Sequence, residues 1–224
     1  MIAGGMIATP PFGLWPSYAE LMADRRTKAG ERQAFSPVAG VQVELNSRSS
    51  LSTSSSTSGV NLIAGEVYVS VAPRQGAFAV QARDIRAASS GGSFAVRTDQ
   101  AALCITCVTG TVASERAGRR TQIAAGEALT YGADGEIRSA RVDASDTLAW
   151  RRGLLVFHGK PLGEALVEIN RHFPGRLILT DEAKGGRLVT GVFHINQIEL
   201  AVVQIQQLLD VSATRVPGGI VLLG

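Results

Sequence analysis

The feature that most constrains this chain is a change of hydrophobic period close to Gly153. Before it, from about residue 34 to 142, apolar and polar side chains alternate. Val41, Val43 and Leu45 are separated by Gln42 and Glu44, and Val67, Val69 and Val71 by Tyr68 and Ser70. Phe78 with Val80 and Phe94 with Val96 repeat the pattern, and further short apolar runs lie at 103–112 and 128–131. A period of two places one face of a strand in a core and the other outside it. Gly, Ser, Asp or Pro interrupt the runs about every 8–12 residues, the spacing of an all-β domain. The expectation is a mainly β N-terminal domain, a sandwich, roll or solenoid of short strands.

After Gly153 the spacing becomes helical. Residues 154–157 form a short apolar strand, and Pro161 suits the first turn of a helix, where its missing N–H costs nothing. Leu162, Ala165, Leu166, Ile169 and Phe173 mark one face of that helix, which Pro174-Gly175 ends. Strands are expected at 176–180 and 187–193. Asn196 and Glu199 have the spacing of a capping box, followed by Ile198, Val202, Ile205 and Leu209 on one helix face. Residues 213–216 and 220–223 flank Pro217-Gly218-Gly219, a hairpin turn. The order β-α-β, β-α-β-β predicts a small α+β domain with helices packed on a sheet. The 224-residue length accommodates two such units. The expected division is 1–22, 23–149 and 150–224.

Two segments stand apart. Residues 1–15 carry no charge but are too short to span a bilayer. Two readings fit: the outer end of a membrane helix, favoured by the polar segment at 20–32, or a disordered tail. Residues 47–58 are almost entirely Ser and Thr. They read as strand-turn-strand with a mobile turn, the hydroxyls lying on a wet strand face.

The chemistry-bearing residues are few. Lys and Arg total 22 against 19 Asp and Glu, too small an excess to indicate nucleic acid, and aromatics are only 5%, which leaves few stacking platforms. Cys104 and Cys107 form a CxxC within a β-patterned run, where residues i and i+3 face opposite ways. One buried and one surface thiol are expected, with a strained disulfide as the alternative. His158, His172 and His194 have no metal-ligand spacing. No GxSxG, P-loop or strand-linked GxGxxG occurs. No catalytic residue, metal or cofactor is expected.

The order of segments resembles the FecR family, membrane-anchored periplasmic regulators of extracytoplasmic-function sigma factors. The carriers are TLAWRRGLLVF at 147–157, PLGEALVEINRHF at 161–173 and GVF at 191–193, with ADRRTKAGER at 23–32, LIAGEVYVSV at 62–71 and IAAGEALTY at 123–131 upstream. The sequence departs from the family pattern at 36–40 and at Gly91-Gly92. The resemblance implies a FecR-like β domain followed by a lobe similar to the signalling domain of secretins and TonB-dependent receptors. It implies a periplasmic position, anchored to the inner membrane in the full-length form, and no enzymatic activity. The implied partner is the N-terminal signalling domain of a TonB-dependent outer-membrane receptor, with an envelope protease as a further one. The sigma factor is expected to be reached only through a cytoplasmic region absent from this sequence. Protein contact is expected in the small lobe. The last strand (Ile220, Val221, Leu222) is a candidate open edge. Alternatively, with that strand interior, Arg171 and His172 at the end of the first helix are the surface candidates.

Overall fold

The computed structural model describes residues 17–53, 58–73 and 76–224. The uncharged segment 1–15 and residues 54–57 of the Ser/Thr tract lie outside the described residues. Twelve strands occupy the first part: β1 (Arg25–Arg26), β2 (Gln33–Phe35), β3 (Val41–Leu45), β4 (Ser50–Thr53), β5 (Gly59–Val71), β6 (Phe78–Ala82), β7 (Ile85–Ser89), β8 (Gly92–Thr98), β9 (Ala102–Arg116), β10 (Arg119–Ala124), β11 (Glu127–Gly132) and β12 (Ile137–Arg141). A four-residue helix, α1 (Tyr18–Leu21), precedes them, and a second, α2 (Ala144–Thr147), follows.

Two long strands fold this sheet on itself. The first half of β5 pairs with β4 and β6, and its second half with β3 and β8. The first half of β9 pairs with β8 and β11, its second half with β7 and β10. Both strands turn at a glycine with positive φ, Gly65 (91°) and Gly110 (77°). A Cβ at Gly65 would stand 2.3 Å from Ser49 Oγ, and one at Gly110 2.5 Å from Gly91 O. No larger residue fits either corner. The predicted alternation supplies the core between the layers: Val43, Val67, Val69, Phe94, Val96, Leu103 and Ile105 are buried in one cluster.

The Ser/Thr tract departs from its expected role. Ser47, Ser49 and Ser50 are buried, not wet. Thr27 Oγ1 donates to the Asn46 carbonyl at 2.6 Å, and Ser49 Oγ accepts from the Glu66 N–H at 2.9 Å. Small hydroxyls satisfy a backbone that passes too close for larger side chains.

The last part contains β13 (Leu154–Pro161), α3 (Leu162–His172), β14 (Arg176–Leu179), β15 (Leu188–His194), α4 (Ile198–Leu209), β16 (Ala213–Val216) and β17 (Ile220–Leu223). The strands form two sheets, not one. β13 pairs with β15, while β17 lies between β14 and β16. Pro161 sits at the cap of α3, and α4 is capped at Gln197 without a side-chain bond, so the Asn196 capping box does not form. Leu162, Leu166, Ile169, Ile198, Val202 and Ile205 are buried in a second core cluster, which also takes in Tyr68 and Ala95 from the large sheet.

Candidate functional site

The outer face of the large sheet carries a polar row. Cross-strand pairing sets Glu66 beside Arg97 and Arg97 beside Cys104. In isolation this row would face water. Instead the segment 148–173 lies across it, and the charges are taken out of solvent.

Glu66 is the centre of the resulting seam and is only 5% exposed. Its Oε1 accepts a hydrogen bond from Trp150 Nε1 at 2.9 Å, and its Oε2 accepts one from Asn46 Nδ2 at 2.9 Å. Arg171 Nη2 stands 3.2 Å from the same Oε2, a charge contact without hydrogen-bond alignment. Arg97 pairs with Glu168 on α3. Burial alone would raise the Glu168 carboxyl, but the Arg97 and Arg171 charges outweigh it and hold the group below the usual carboxylate range. Burial would likewise lower Arg97, and Glu168 with Glu66 reverses the direction.

The rim repeats the same chemistry. Arg151 makes a two-pronged contact with Glu44, at 3.0 and 2.5 Å, and lies 3.6 Å above the Tyr68 ring. Arg32 Nη1 donates to the Trp150 carbonyl at 2.9 Å, and Arg48 Nη2 to the Phe173 carbonyl at 3.0 Å. Ser47 Oγ and His172 Nδ1 are 2.8 Å apart. Burial, with Arg171 beside it, pushes His172 down to about 4, so the ring is neutral.

Arg171 and His172 are therefore not surface residues. The last turn of α3 faces the sheet, leaving His172 2% exposed and the Arg171 side chain 13% exposed. The open-edge expectation for Ile220, Val221 and Leu222 also fails, because β17 is the central strand of its sheet and Val221 is buried. What no sequence pattern signalled is the role of Glu66, Trp150 and Arg97.

A cleft of about 480 Å³ opens beside the seam, lined by Arg97, Cys104, Asp146, His158, Lys160 and Glu168 among others. Most of these charges are engaged internally: Arg97 with Glu168, and His158 with Asp146 at 2.9 Å. Among the described residues no group of three or more His, Cys, Asp or Glu could hold a metal ion. The arrangement joins two parts of the chain, and its hydroxyl–imidazole contact, Ser47 with His172, is buried on both sides.

Residues 23–113 match the family model described as FecR protein. That stretch of the chain is FecR-like. No curated protein matches the sequence. Two crystal structures of a protein described as a putative anti-sigma factor from Parabacteroides distasonis share the fold, with TM-scores of 0.77 and 0.75 at 20% and 21% identity. Each likeness covers 89% of this chain and 97% or 96% of the other. It thus extends beyond the FecR match into the α+β part. Within the matched stretch, Glu66 and Arg97 meet Trp150, Arg171 and Glu168 across the seam, and Asn46 braces Glu66 from its own side.

Cys104 and Cys107 are free, and face opposite ways as their spacing requires. Cys104 lines the cleft, whereas Cys107 is fully buried opposite Phe94. Burial pushes the Cys107 thiol up, away from reactivity. Replacing both with Ser is expected to cost about 1–3 kcal/mol, nearly all from the hydroxyl buried at 107. Urea unfolding with and without reductant measures this; a parent protein destabilised by reductant would show that a disulfide matters.

Proposed function

We propose that this chain is the sensor part of a FecR-type regulator of an extracytoplasmic-function sigma factor, working by protein contact and not by catalysis. The observation that carries this reading is a FecR-like domain joined through one buried charged seam to a β-α-β, β-α-β-β lobe. The fold shared with the Parabacteroides distasonis protein supports it, since that protein is described as a putative anti-sigma factor. The partner is the N-terminal signalling domain of a TonB-dependent outer-membrane receptor, and the place of contact is the periplasm. No helix among the described residues is long and apolar enough to cross a membrane.

The test is titration of the purified chain with the signalling domain of its cognate receptor, alongside a reporter for the sigma-dependent promoter in cells. Saturable one-to-one binding is expected, together with a promoter that stops responding to the receptor's ligand when the gene is deleted. An absence of binding and an unchanged promoter would overturn the reading and favour an assembly module of an envelope complex.

A further inference from the structure

The arginines around the seam are satisfied in two different ways. Arg97 and Arg151 meet carboxylates, Glu168 and Glu44. The Glu44 contact raises Arg151 above the ordinary arginine value. Arg32 and Arg48 meet only carbonyls. Arg32 Nη1 donates to the Trp150 and Arg151 carbonyls at 2.9 and 2.5 Å, and Arg48 Nη2 to those of Phe173 and Gly175 at 3.0 and 3.3 Å. Among the described residues neither forms an ion pair. Burial, and after it the nearby Arg176 charge, lower Arg48 instead of raising it. The carbonyls satisfy donors but leave both charges unanswered.

Further cations lie along the same margin. The Arg48 N–H donates to the Lys28 carbonyl at 3.2 Å, which sets Lys28 beside it. Arg26, on the edge strand β1, stands two residues beyond Lys28, opposite Ser50. Arg26, Lys28, Arg32 and Arg48 are all exposed. Two carboxylates share the stretch, and both are turned to backbone. Asp24 Oδ2 accepts from the Thr53 N–H at 2.7 Å, and Glu31 Oε2 from the Lys28 N–H at 2.8 Å. Neither makes an ion pair among the described residues. The whole chain has an excess of only three positive charges, so much of that excess is gathered at this margin.

We infer that the margin formed by Arg26, Lys28, Arg32 and Arg48 docks an acidic segment of a partner protein. A guanidinium has five N–H donors. Arg32 and Arg48 each give the carbonyls a single nitrogen, so the rest of each fork is left for a carboxylate. Such a bond is charge-assisted and roughly twice as strong as one to a carbonyl. Three of the four cations are Arg, whose planar fork takes a carboxylate in two parallel bonds. Arg32 and Arg48 are fixed to carbonyls of two different segments, 150–151 and 173–175. Cations held in place in this way are best matched by acid groups repeated along one chain. The inference does not depend on the identity of the partner proposed above.

The experiment titrates the whole chain with a labelled peptide of alternating Glu and Ser, and with its Gln-Ser counterpart, at low salt. Saturable binding is expected for the Glu peptide and none for the Gln peptide, with affinity falling as salt is added. Arg32→Gln with Arg48→Gln is expected to weaken binding at least about tenfold, the equivalent of one charge-assisted hydrogen bond. Arg119→Gln with Arg120→Gln removes the same charge from β10, at the far edge of the large sheet. That control is expected to stay within about threefold. Circular dichroism checks that each variant is folded. Should the Arg32 and Arg48 variant unfold, the side-chain Nε–H resonances of these two residues in the unaltered chain decide the matter, and both are expected to move as Glu peptide is added. Unaltered chain that does not bind the Glu peptide, two variants that weaken it equally, or resonances that stay in place would overturn the assignment. Inorganic phosphate that displaces the peptide at equal concentration would make this a small-anion site. Phosphatidylglycerol vesicles that retain the chain through Arg32 and Arg48, with no peptide binding, would make the occupant a lipid surface. Either result overturns the acidic segment.

Discussion

Glu66→Ala is expected to destabilise the protein by about 3–5 kcal/mol, because it leaves a buried cation without its counter-charge. Two donors and one cation converge on this carboxylate: Trp150 Nε1, Asn46 Nδ2 and the Arg171 guanidinium. Removing it strands all three in a region where Glu66 itself is 5% exposed. The cost is that of unmet groups, not of the ion pair as such. Glu66→Gln keeps the shape and one acceptor oxygen, so it should lose less than Glu66→Ala. Replacing Glu66 with Leu and Arg171 with Met together removes both charges, and should also lose less than Glu66→Ala alone. Urea unfolding of the three variants measures this ordering. A loss below about 1 kcal/mol for Glu66→Ala, the range of an exposed pair, would mean that water reaches the seam.

The elements that could be read from sequence are those whose side chains are sorted by solvent. β3 alternates because one face meets the core; β5, β6 and β8 send Val67, Val69, Phe78, Val80, Phe94 and Val96 into that same core although parts of their other faces are covered too, and the hairpin of β16 and β17 falls on its predicted residues. β12 could not be read. All five of its residues are exposed, and backbone pairing with β11 alone holds it as a strand. The seam was hidden for another reason. Glu66 on the outer face of a strand looks like any solvated carboxylate until α3 and Trp150 cover it. Its bond to Trp150 joins residues 84 positions apart, and Ser47 and His172 are 125 apart. Local periodicity says which face of β5 carries Glu66, but not what will lie over that face. The same limit explains Arg171 and His172. A helix end rich in cations suits the dipole wherever it points, and only the packing of α3 decides that it points inward.

Acidification is expected to loosen the same seam through His172. Its ordinary value is 6.5, and burial lowers it to about 4 in the folded chain. Above pH 6.5 the ring is neutral whether the chain is folded or not, and the full stability is present. Between pH 6.5 and 4 the unfolded chain takes up a proton that the folded chain refuses, so stability falls as pH falls. Across that window the loss is on the order of 3 kcal/mol, at about 1.4 kcal/mol per unit of displacement. Glu168 acts in a different range. Its carboxyl is held low in the folded state, so its contribution is intact above the ordinary carboxylate value and disappears only in stronger acid. The slope between pH 6.5 and 5 therefore reports His172. His158 and His194 are exposed and lie apart from this contact. Urea unfolding at pH 7, 6 and 5 should show declining stability for the parent and a flatter profile for His172→Asn. The Asn variant loses packing at every pH but cannot titrate. Equal slopes in the two proteins would place the acid sensitivity elsewhere. If the slope belongs to His172, proton uptake sets a second cation beside Arg171 and opposite Ser47, where the end of α3 meets the large sheet. Acid would then weaken the join between the small lobe and the large sheet.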